Sequence, residues 1–487
     1  MKKSSGILMP VFALPGKYGI GTFGKEAYDF VDFLKKSGQS VWQMLPLSQT
    51  VFGDSPYQTT ADVSFNPYFC DLDQLFSQGL LTQRELDSAT QKVKPIDYGK
   101  LYKKRTALLK KAFSRFDCSD EFLNFVNSKK YYDYAVFMVA KDVFGNLNAF
   151  PTWLKTHDKR LIDRFLEENA EEFLFYNFTQ FILEKQLFRL KEYANENGIL
   201  LMGDLPLYVA LDSADVWKNK DQFLLDENYS PKKVAGVPPD YFSQDGQLWG
   251  NPIYDYDAMK KDGFKWWKNR IKRSLQRYDL LRIDHFRGLD RFWAIPFGES
   301  AKAGEWTKAY GEEILSGFNK NRLIAEDLGV IDDGVINLLK TTGLPGMKVL
   351  LFAFDGNPNN PYLPKNVTKN SVAYVGTHDN NTAYGFAKNL TDEEFKRFLS
   401  NINGVLPKGV TKVKTKKQVA PALIETLLST DANLTVISFA DLIPLDDAYR
   451  INTPSTVGNW TVRFKEEYFS EDISSNLYAL TKKYKRI

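Results

Sequence analysis

Hydrophobic residues along the chain fall into eight short runs, and six of the runs end in an acidic residue. The runs cover a stretch ending near Leu14 and residues 40–46, 198–204, 279–284, 322–327, 347–355, 371–379 and 434–441. Most of the gaps between them hold helical spacing, as where Ala27, Phe30, Val31 and Leu34 recur at i, i+3, i+4 and i+7. Eight buried strands alternating with helices predict an α/β fold, a (β/α)8 TIM barrel.

Two long segments interrupt this alternation. Residues 55–170 show mainly helical spacing and are rich in Lys, Asp, Tyr and Phe, so we expect an inserted helical subdomain on the catalytic face. Residues 1–54 would begin the barrel and residues 171–487 would complete it. Residues 209–254 are rich in Asp, Gly and Pro, which indicates a long functional loop.

Composition narrows the class of protein. The 487 residues carry 64 Lys and Arg against 60 Asp and Glu, a net charge of +4, so we expect no nucleic-acid or membrane partner. Cys70 and Cys118 form no CxxC pair, and a structural disulfide is not expected. Pro10 interrupts the apolar N-terminal stretch, which favours a buried strand over a signal peptide. Other apolar runs fall short of the roughly 18 residues of a membrane span, so a soluble cytoplasmic protein is expected.

Candidate chemistry lies where the runs end, because TIM barrels build their active sites at the carboxyl ends of the strands. Strand alternation puts Arg282 and Asp284 on one face, and a neighbouring guanidinium keeps a carboxylate ionised, as a nucleophile requires. A purely structural ion pair is the alternative. An acidic strand end can also serve as the N-cap of the following helix.

Further acids end the fifth and seventh runs. Glu326 offers a second carboxylate, and His378 and Asp379 add an imidazole and a third acid. Two carboxylates about 5–5.5 Å apart are the equipment of retaining glycoside cleavage. A metal site built from His285, His378 and aspartates is the competing interpretation, but the sequence has no paired His-x-His, HExxH or phosphate-loop motif. The 14% of aromatic residues supplies faces for stacking on sugar rings.

Several longer strings resemble one family along nearly the whole chain. They are GDSPYQ (53–58), GDLPLYVALDSADVW (203–217), AGVPPDYFS (235–243), GQLWGNP (246–252), RIDHFRG (282–288), AEDLG (325–329), GTHDN (376–380), NTP (452–454) and GNW (458–460). In this order they resemble the amylomaltases, or disproportionating enzymes, of the α-amylase superfamily. The resemblance implies a TIM barrel without a C-terminal β-sandwich. It also implies an enzyme that needs no metal or cofactor.

The resemblance also implies roles for individual residues. Asp284 would be the nucleophile, Glu326 the general acid/base and Asp379 a transition-state stabiliser. The expected substrate-binding residues are Arg282 and His378 at the donor sugar, Asp204 and Asn452 as hydrogen-bond partners, Tyr57 as a donor-side stacking ring, Asp355 on the acceptor side, and Asp240 and Trp249 in a loop over the bound glucan.

The implied activity is 4-α-glucanotransfer, in which a retaining double displacement moves α-1,4-glucan segments between maltooligosaccharides. The sequence departs from the family pattern at residues 59–67 and 297–310, and at Asn381, where an acid is common. Two rival hypotheses remain: an α-glucan hydrolase with the same three carboxylates, and a catalytically silent glucan-binding protein.

Overall fold

The computed structural model describes residues 3–51, 53–239, 244–329 and 331–487. Its strands are β1 Ser4–Leu8, β2 Val41–Gln43, β3 Leu200–Leu205, β4 Lys233–Val237, β5 Gln247–Pro252, β6 Leu280–Ile283, β7 Arg291–Pro296, β8 Glu305–Lys308, β9 Leu323–Ala325, β10 Gly346–Val349, β11 Ser371–Tyr374 and β12 Leu434–Ser438. Its α-helices are α1 Lys25–Lys36, α2 Leu72–Ser77, α3 Gln83–Ala89, α4 Tyr98–Ser114, α5 Asp120–Asn127, α6 Tyr132–Phe144, α7 Thr152–Lys155, α8 Lys159–Glu168, α9 Ala170–Glu196, α10 Ala214–Lys218, α11 Tyr256–Lys261, α12 Lys265–Arg277, α13 Gly311–Leu315, α14 Asp333–Thr342, α15 Ala383–Asn389, α16 Asp392–Asn403, α17 Val419–Ser429, α18 Phe439–Leu442 and α19 Glu471–Lys483.

Eight parallel strands form one sheet in the order β10-β11-β12-β1-β2-β3-β6-β9. Every residue of β2, β6, β9, β11 and β12 is buried, as expected of parallel strands covered on both faces. Each of the eight strands lies within or beside one of the predicted apolar runs. The (β/α)8 TIM barrel is therefore confirmed.

The two end strands of this sheet, β9 and β10, approach each other and nearly close the barrel. The backbone N–H of Ala325 donates to the carbonyl of Pro345 at 2.9 Å. The Asp327 carboxylate accepts from the backbone N–H of Met347 at 2.5 Å. A Cβ on Gly346 would lie 2.6 Å from Asp327 Oδ2, so this close approach requires glycine.

Helices α2–α9 fill the long connection between β2 and β3. Polar N-cap side chains begin five of them, each accepting a backbone N–H of the first turn. These N-caps are Asp71, Thr82, Asp97, Ser119 and Asp158. Asp71, for example, accepts the N–H of Asp73 at the start of α2, so this acidic residue serves helix geometry and not chemistry.

A second sheet lies partly where the sequence predicts loop. It is antiparallel, with the order β5-β4-β7-β8, and two of its strands, together with α10, fall within residues 209–254. The difference has a physical reason, because these strands are partly exposed and carry Lys, Glu, Gly and Pro. Their pattern therefore resembles that of a polar loop. Within the described ranges, no helix is both long and apolar enough to cross a membrane.

Candidate active site

The carboxyl ends of four barrel strands bring the predicted acids together. Asp204 lies in β3 and pairs in register with Arg282 of β6, while Asp284 and Glu326 come directly after β6 and β9. Asp379 follows β11 by five residues. Parallel strands of a barrel end on the same face, so these side chains share one site.

Arg282 is the buried centre of the cluster, with a side chain only 3% exposed. Its Nη1 donates to both carboxylate oxygens of Asp204, at 2.7 and 2.6 Å, and to Asp284 Oδ1 at 3.0 Å. The expected contact between Arg282 and Asp284 is present. Asp204 is a closer partner of the guanidinium, because the two residues are neighbours across the strands.

Asp204 itself has no exposed side-chain surface. Its carboxylate is occupied by Arg282 and by the hydroxyl of Tyr57, which donates to Oδ2 at 2.7 Å. Both Asp204 oxygens are thus engaged within the cluster, and its hydrogen bond to a sugar stays a prediction. A buried carboxylate on this guanidinium fixes the side chain of Arg282 beneath the site.

Asp284 and Glu326 differ in their surroundings. Burial raises the pKa of Glu326 to about 8, because Arg282 opposes it only from 4.0 Å and the charge of Asp284 adds to it. Burial raises the pKa of Asp284 to about 7, against a direct contact with Arg282. The Asp284 side chain is 27% exposed and that of Glu326 11%. The direct contact with Arg282 opposes the rise more strongly for Asp284 than for Glu326, so Asp284 is the more readily ionised of the two carboxyls.

Backbone groups hold the Glu326 carboxyl in place. Oε2 accepts the N–H of His285 at 2.7 Å and Oε1 accepts the N–H of Leu328 at 3.0 Å. His285 itself has a left-handed backbone with φ of 45°, which turns the chain that follows it. The N–H of Phe286 also donates to the carbonyl of Glu326 at 3.0 Å. The turns after β6 and β9 are thus bonded directly to each other.

His378 connects the third acid to Tyr57. Its Nε2 lies 2.9 Å from the Tyr57 hydroxyl and 3.3 Å from Asp379 Oδ2. The Tyr57 hydroxyl donates its hydrogen bond to Asp204. Nε2 of His378 must therefore carry a proton, which faces both Tyr57 and Asp379. Burial lowers the pKa of His378, which keeps the ring neutral. Tyr57 stacks on this ring with centroids 5.4 Å apart.

Asp379 has the most exposed of the three carboxylates, at 41%. Asn452 Nδ2 donates to its Oδ1 at 2.5 Å, and Arg450 Nη2 donates to its backbone carbonyl at 2.6 Å. The Asn452 amide is therefore already engaged with Asp379. The arrangement leaves the remaining Asp379 surface open to a ligand hydroxyl.

The other predicted substrate-binding residues are less closely joined to the cluster. Trp249 of β5 packs edge-to-face on His285 with centroids 4.8 Å apart, so the second sheet borders the site. Asp355 is exposed, and its carboxylate caps the local turn by accepting from the N–H of Asn357 at 2.9 Å. Asp240 lies outside the described residues, together with residues 241–243.

A family model described as 4-alpha-glucanotransferase matches residues 9–469. The chain belongs to the 4-alpha-glucanotransferase family. A 4-alpha-glucanotransferase of Streptococcus pneumoniae is 40% identical over 504 aligned residues, which cover 100% of this chain and 98% of that protein. A 4-alpha-glucanotransferase of Thermus thermophilus is 38% identical, with 100% of each chain covered. The amylomaltase of Streptococcus agalactiae in complex with acarbose superposes with a TM-score of 0.93 at 37% identity, covering all of both chains.

The enzyme function of the chain is thus 4-alpha-glucanotransfer, and the resemblance to the amylomaltases is confirmed. Within the described part of this glucanotransferase, no group of three or more His, Cys, Asp and Glu side chains is arranged to hold a metal ion.

Two residues of the site were not predicted from the sequence. Arg450 holds the backbone of Asp379, and Trp460 lies 5.8 Å from the Tyr57 ring and 6.0 Å from the His378 ring. Trp460 belongs to the recognised string GNW and has an unusual φ of 64°. That string was the available signal for Trp460. Arg450 belongs to no motif and becomes visible only through the packing of β11 beside β12.

Proposed function

We propose that this glucanotransferase moves α-1,4-glucan segments from a donor maltooligosaccharide to the 4-hydroxyl of glucose or another glucan, through a covalent glycosyl-enzyme. The observation that carries the proposal is the unequal pair of carboxyls on one guanidinium. Asp284 contacts Arg282 directly and is the more exposed, while Glu326 is the more buried and has its pKa raised to about 8 by that burial.

In the first step an Asp284 oxygen attacks C1 of the donor sugar. The C1–O bond to the reducing-end fragment breaks, and the proton of Glu326 passes to the departing oxygen. Asp284 is then esterified, which removes its charge, and Glu326 is left as a carboxylate. The backbone N–H groups of His285 and Leu328 stabilise that carboxylate once it forms.

In the second step the 4-hydroxyl of an acceptor glucan attacks the same C1. Glu326 takes the hydroxyl proton, the bond to Asp284 breaks, and two inversions restore the α-linkage. Transfer exceeds hydrolysis when a bound acceptor occupies the position that water would otherwise take.

Asp379 supports the transition state by accepting hydrogen bonds from sugar hydroxyls, since it is the exposed carboxylate of the cluster. Arg282 and His378 form the polar floor under the donor sugar, with Asp204 fixing Arg282 from below. Tyr57 and Trp249 supply ring faces beside this floor. We assign Asp240 and Asp355 to outer glucan contacts on the resemblance alone.

A glucan substrate agrees with the amylomaltase relative that was solved in complex with acarbose. We also propose that the enzyme works in the cytoplasm, in keeping with its two unpaired cysteines, Cys70 and Cys118.

Incubation with maltotriose alone tests the reaction. We expect glucose together with a ladder of longer maltooligosaccharides, because one molecule is donor and another acceptor. Asp284→Asn keeps the shape of the side chain without its charge, and this control should yield neither product. A mixture containing only products shorter than maltotriose, with reducing ends rising over time, would support a hydrolase instead.

A further inference from the structure

Two loops that follow neighbouring strands are bonded together beside the site. The Asp379 loop, residues 377–383, follows β11, and the β12 segment, residues 441–452, follows β12. As the residue numbers fall along the Asp379 loop, the numbers of their partners rise along the β12 segment. They are Ala383 N–H to Asp441, Thr382 Oγ1 to the Leu445 carbonyl, Thr382 N–H and Asn381 Nδ2 to Asp447, Arg450 to the Asp379 carbonyl, Asn452 Nδ2 to Asp379 Oδ1, and Asn452 N–H to the His378 carbonyl.

Asp447 is the centre of this contact. Its Oδ1 accepts the N–H of Thr382 at 3.1 Å, and its Oδ2 accepts Asn381 Nδ2 at 2.6 Å and Asn389 Nδ2 at 2.8 Å. A carboxylate is an acceptor only, so it matches these three N–H donors. A Cβ on Gly385 would lie 2.0 Å from Asp447 Oδ1, so glycine gives the carboxylate room.

The Asp379 loop is also tied within itself. Asn380 Oδ1 accepts the Thr377 N–H at 2.8 Å and the Thr377 hydroxyl at 3.0 Å. These bonds hold the turn together, and the Asn381 side chain is one of its attachments to the β12 segment. A displacement at Asn381 would be transmitted to Asp379, two residues away.

We propose that Asn381 and Asp447 form a positioning pair that directs Asp379 at the substrate. The pair depends on the neutral amide at position 381. A carboxylate there would face Asp447 and stand near Asp441, a second acid that is 2% exposed and bonded to the same loop. This inference rests on the proposed role of Asp379 at the transition state.

The test uses Asn381→Asp, Asp447→Asn and the double variant that carries both changes. Asn381→Asp sets two carboxylates against each other. Asp447→Asn turns one acceptor oxygen into an NH2 group, so at least one of the three N–H donors at Asp447 loses its acceptor. The double variant restores one N–H to carboxylate bond with its direction reversed. A misplaced catalytic group costs on the order of 100-fold, so we expect each single variant to lower kcat roughly 10- to 100-fold. We expect the double variant to return kcat to within about threefold of the parent.

To distinguish a positioning role from a purely structural one, KM, kcat and Tm are measured with maltotriose and with an α-maltosyl fluoride. Asp379 donates no proton to the leaving group, so Asn381→Asp should lower kcat by a similar factor for both donors, with KM nearly unchanged. Asn381→Ala removes the bond without adding charge. We expect it to lower kcat as well, which preserves the test if Asn381→Asp folds poorly.

Asp379→Asn is the reference variant. If it has parental activity, the proposed role of Asp379 fails, and the positioning pair fails with it. If Asp379→Asn is impaired while Asn381→Asp and Asn381→Ala keep parental kcat, the positioning pair alone is overturned. A loss in Asn381→Asp that Asp447→Asn does not recover would equally overturn it.

Discussion

Arg282 touches the two central carboxyls unequally: Nη1 lies 3.0 Å from Asp284 Oδ1, and Nη2 lies 4.0 Å from Glu326 Oε2. The closer contact favours the charged form of Asp284, and the more complete burial of Glu326 favours its neutral form. One guanidinium thus distinguishes the two carboxyls at neighbouring strand ends, which supports the proposed roles of Asp284 as nucleophile and Glu326 as acid.

This separation predicts a bell-shaped pH dependence of kcat/KM. Asp284 must be ionised, so the rate rises with pH through its pKa of about 7. Glu326 must be protonated, so the rate falls as pH rises through its pKa of about 8. With α-maltosyl fluoride as donor, Glu326→Gln should keep the acid limb for glycosylation and lose the alkaline limb. An alkaline limb that persists in this variant would assign it to another group.

The same raised pKa predicts a stability effect. Glu326 binds its proton more tightly in the folded state, with a pKa of about 8 against an ordinary value of 4.5, so stability is lost as pH rises from 4.5 through 8. Glu326→Gln does not titrate. One pKa unit corresponds to about 1.36 kcal/mol, so the free energy of unfolding of the variant relative to the parent should rise by roughly 2–4 kcal/mol between pH 5 and pH 9.

Urea unfolding of both proteins at the two pH values measures this change. The hydrogen bond that the Gln amide loses at His285 or Leu328 affects the variant at both pH values, so the test is the change with pH and not the stability at either pH. A difference in unfolding free energy that does not vary with pH would contradict the raised pKa.

Tyr57→Phe should weaken donor binding and catalysis together. The hydroxyl links Asp204 to His378, at 2.7 and 2.9 Å, and both neighbours lie beneath the donor sugar in the proposed site. Hydrogen bonds to charged groups are worth about 1.5–3 kcal/mol, so kcat/KM for maltotriose should fall roughly 10- to 100-fold. Tyr18→Phe removes a similar hydroxyl, bonded to Asp73 at 2.5 Å outside the cluster, and should leave kcat/KM unchanged. Equal losses in both variants would indicate a general structural effect.

Chelation provides a simpler test. The proposed steps use only carboxyl groups and sugar hydroxyls, so dialysis against a chelator should leave the rate of maltotriose conversion within about twofold. Loss of activity that Ca²⁺ or Zn²⁺ restores would reveal a metal requirement.

Sequence pattern predicts the barrel well for a physical reason. Parallel strands buried on both faces must be almost wholly apolar, so each of the eight appears as an apolar run, and six of the runs end in an acid. The acids at those ends then follow from barrel geometry. The antiparallel sheet of β4, β5, β7 and β8 stayed hidden. Its strands β4 and β5 are partly exposed and carry Lys, Gly and Pro, so their pattern resembles that of a loop.

Contacts between residues on neighbouring strands were the second feature that the sequence could not reveal. Asp204 pairs with Arg282 because β3 lies beside β6, and Arg450 reaches Asp379 because β12 lies beside β11. These residues are 78 and 71 positions apart in the chain. Local spacing therefore identified Asp284 as the neighbour of Arg282 but could not reveal that Asp204 is held more closely.

The sharpest prediction distinguishes the roles of the two central carboxyls by the donors that their variants can still use. Asp284→Ala removes the nucleophile, so transfer should vanish with every donor. Glu326→Gln removes only the proton donor, which is worth about 10²- to 10⁴-fold when the leaving group is poor. Fluoride departs with little protonation, so this variant should be glycosylated by α-maltosyl fluoride far faster than by maltotriose.

The glycosyl-enzyme should then accumulate, because Glu326→Gln also lacks the base that activates the acceptor. Mass spectrometry of the denatured, digested protein should find the added sugar on the peptide that contains Asp284. Glu326→Ala serves as a second variant, since the Gln amide meets the N–H of His285 or Leu328 where the carboxyl accepted both. A sugar found on Asp379, or transfer retained by Asp284→Ala, would overturn the assignment of Asp284 while leaving the enzyme's family unaffected.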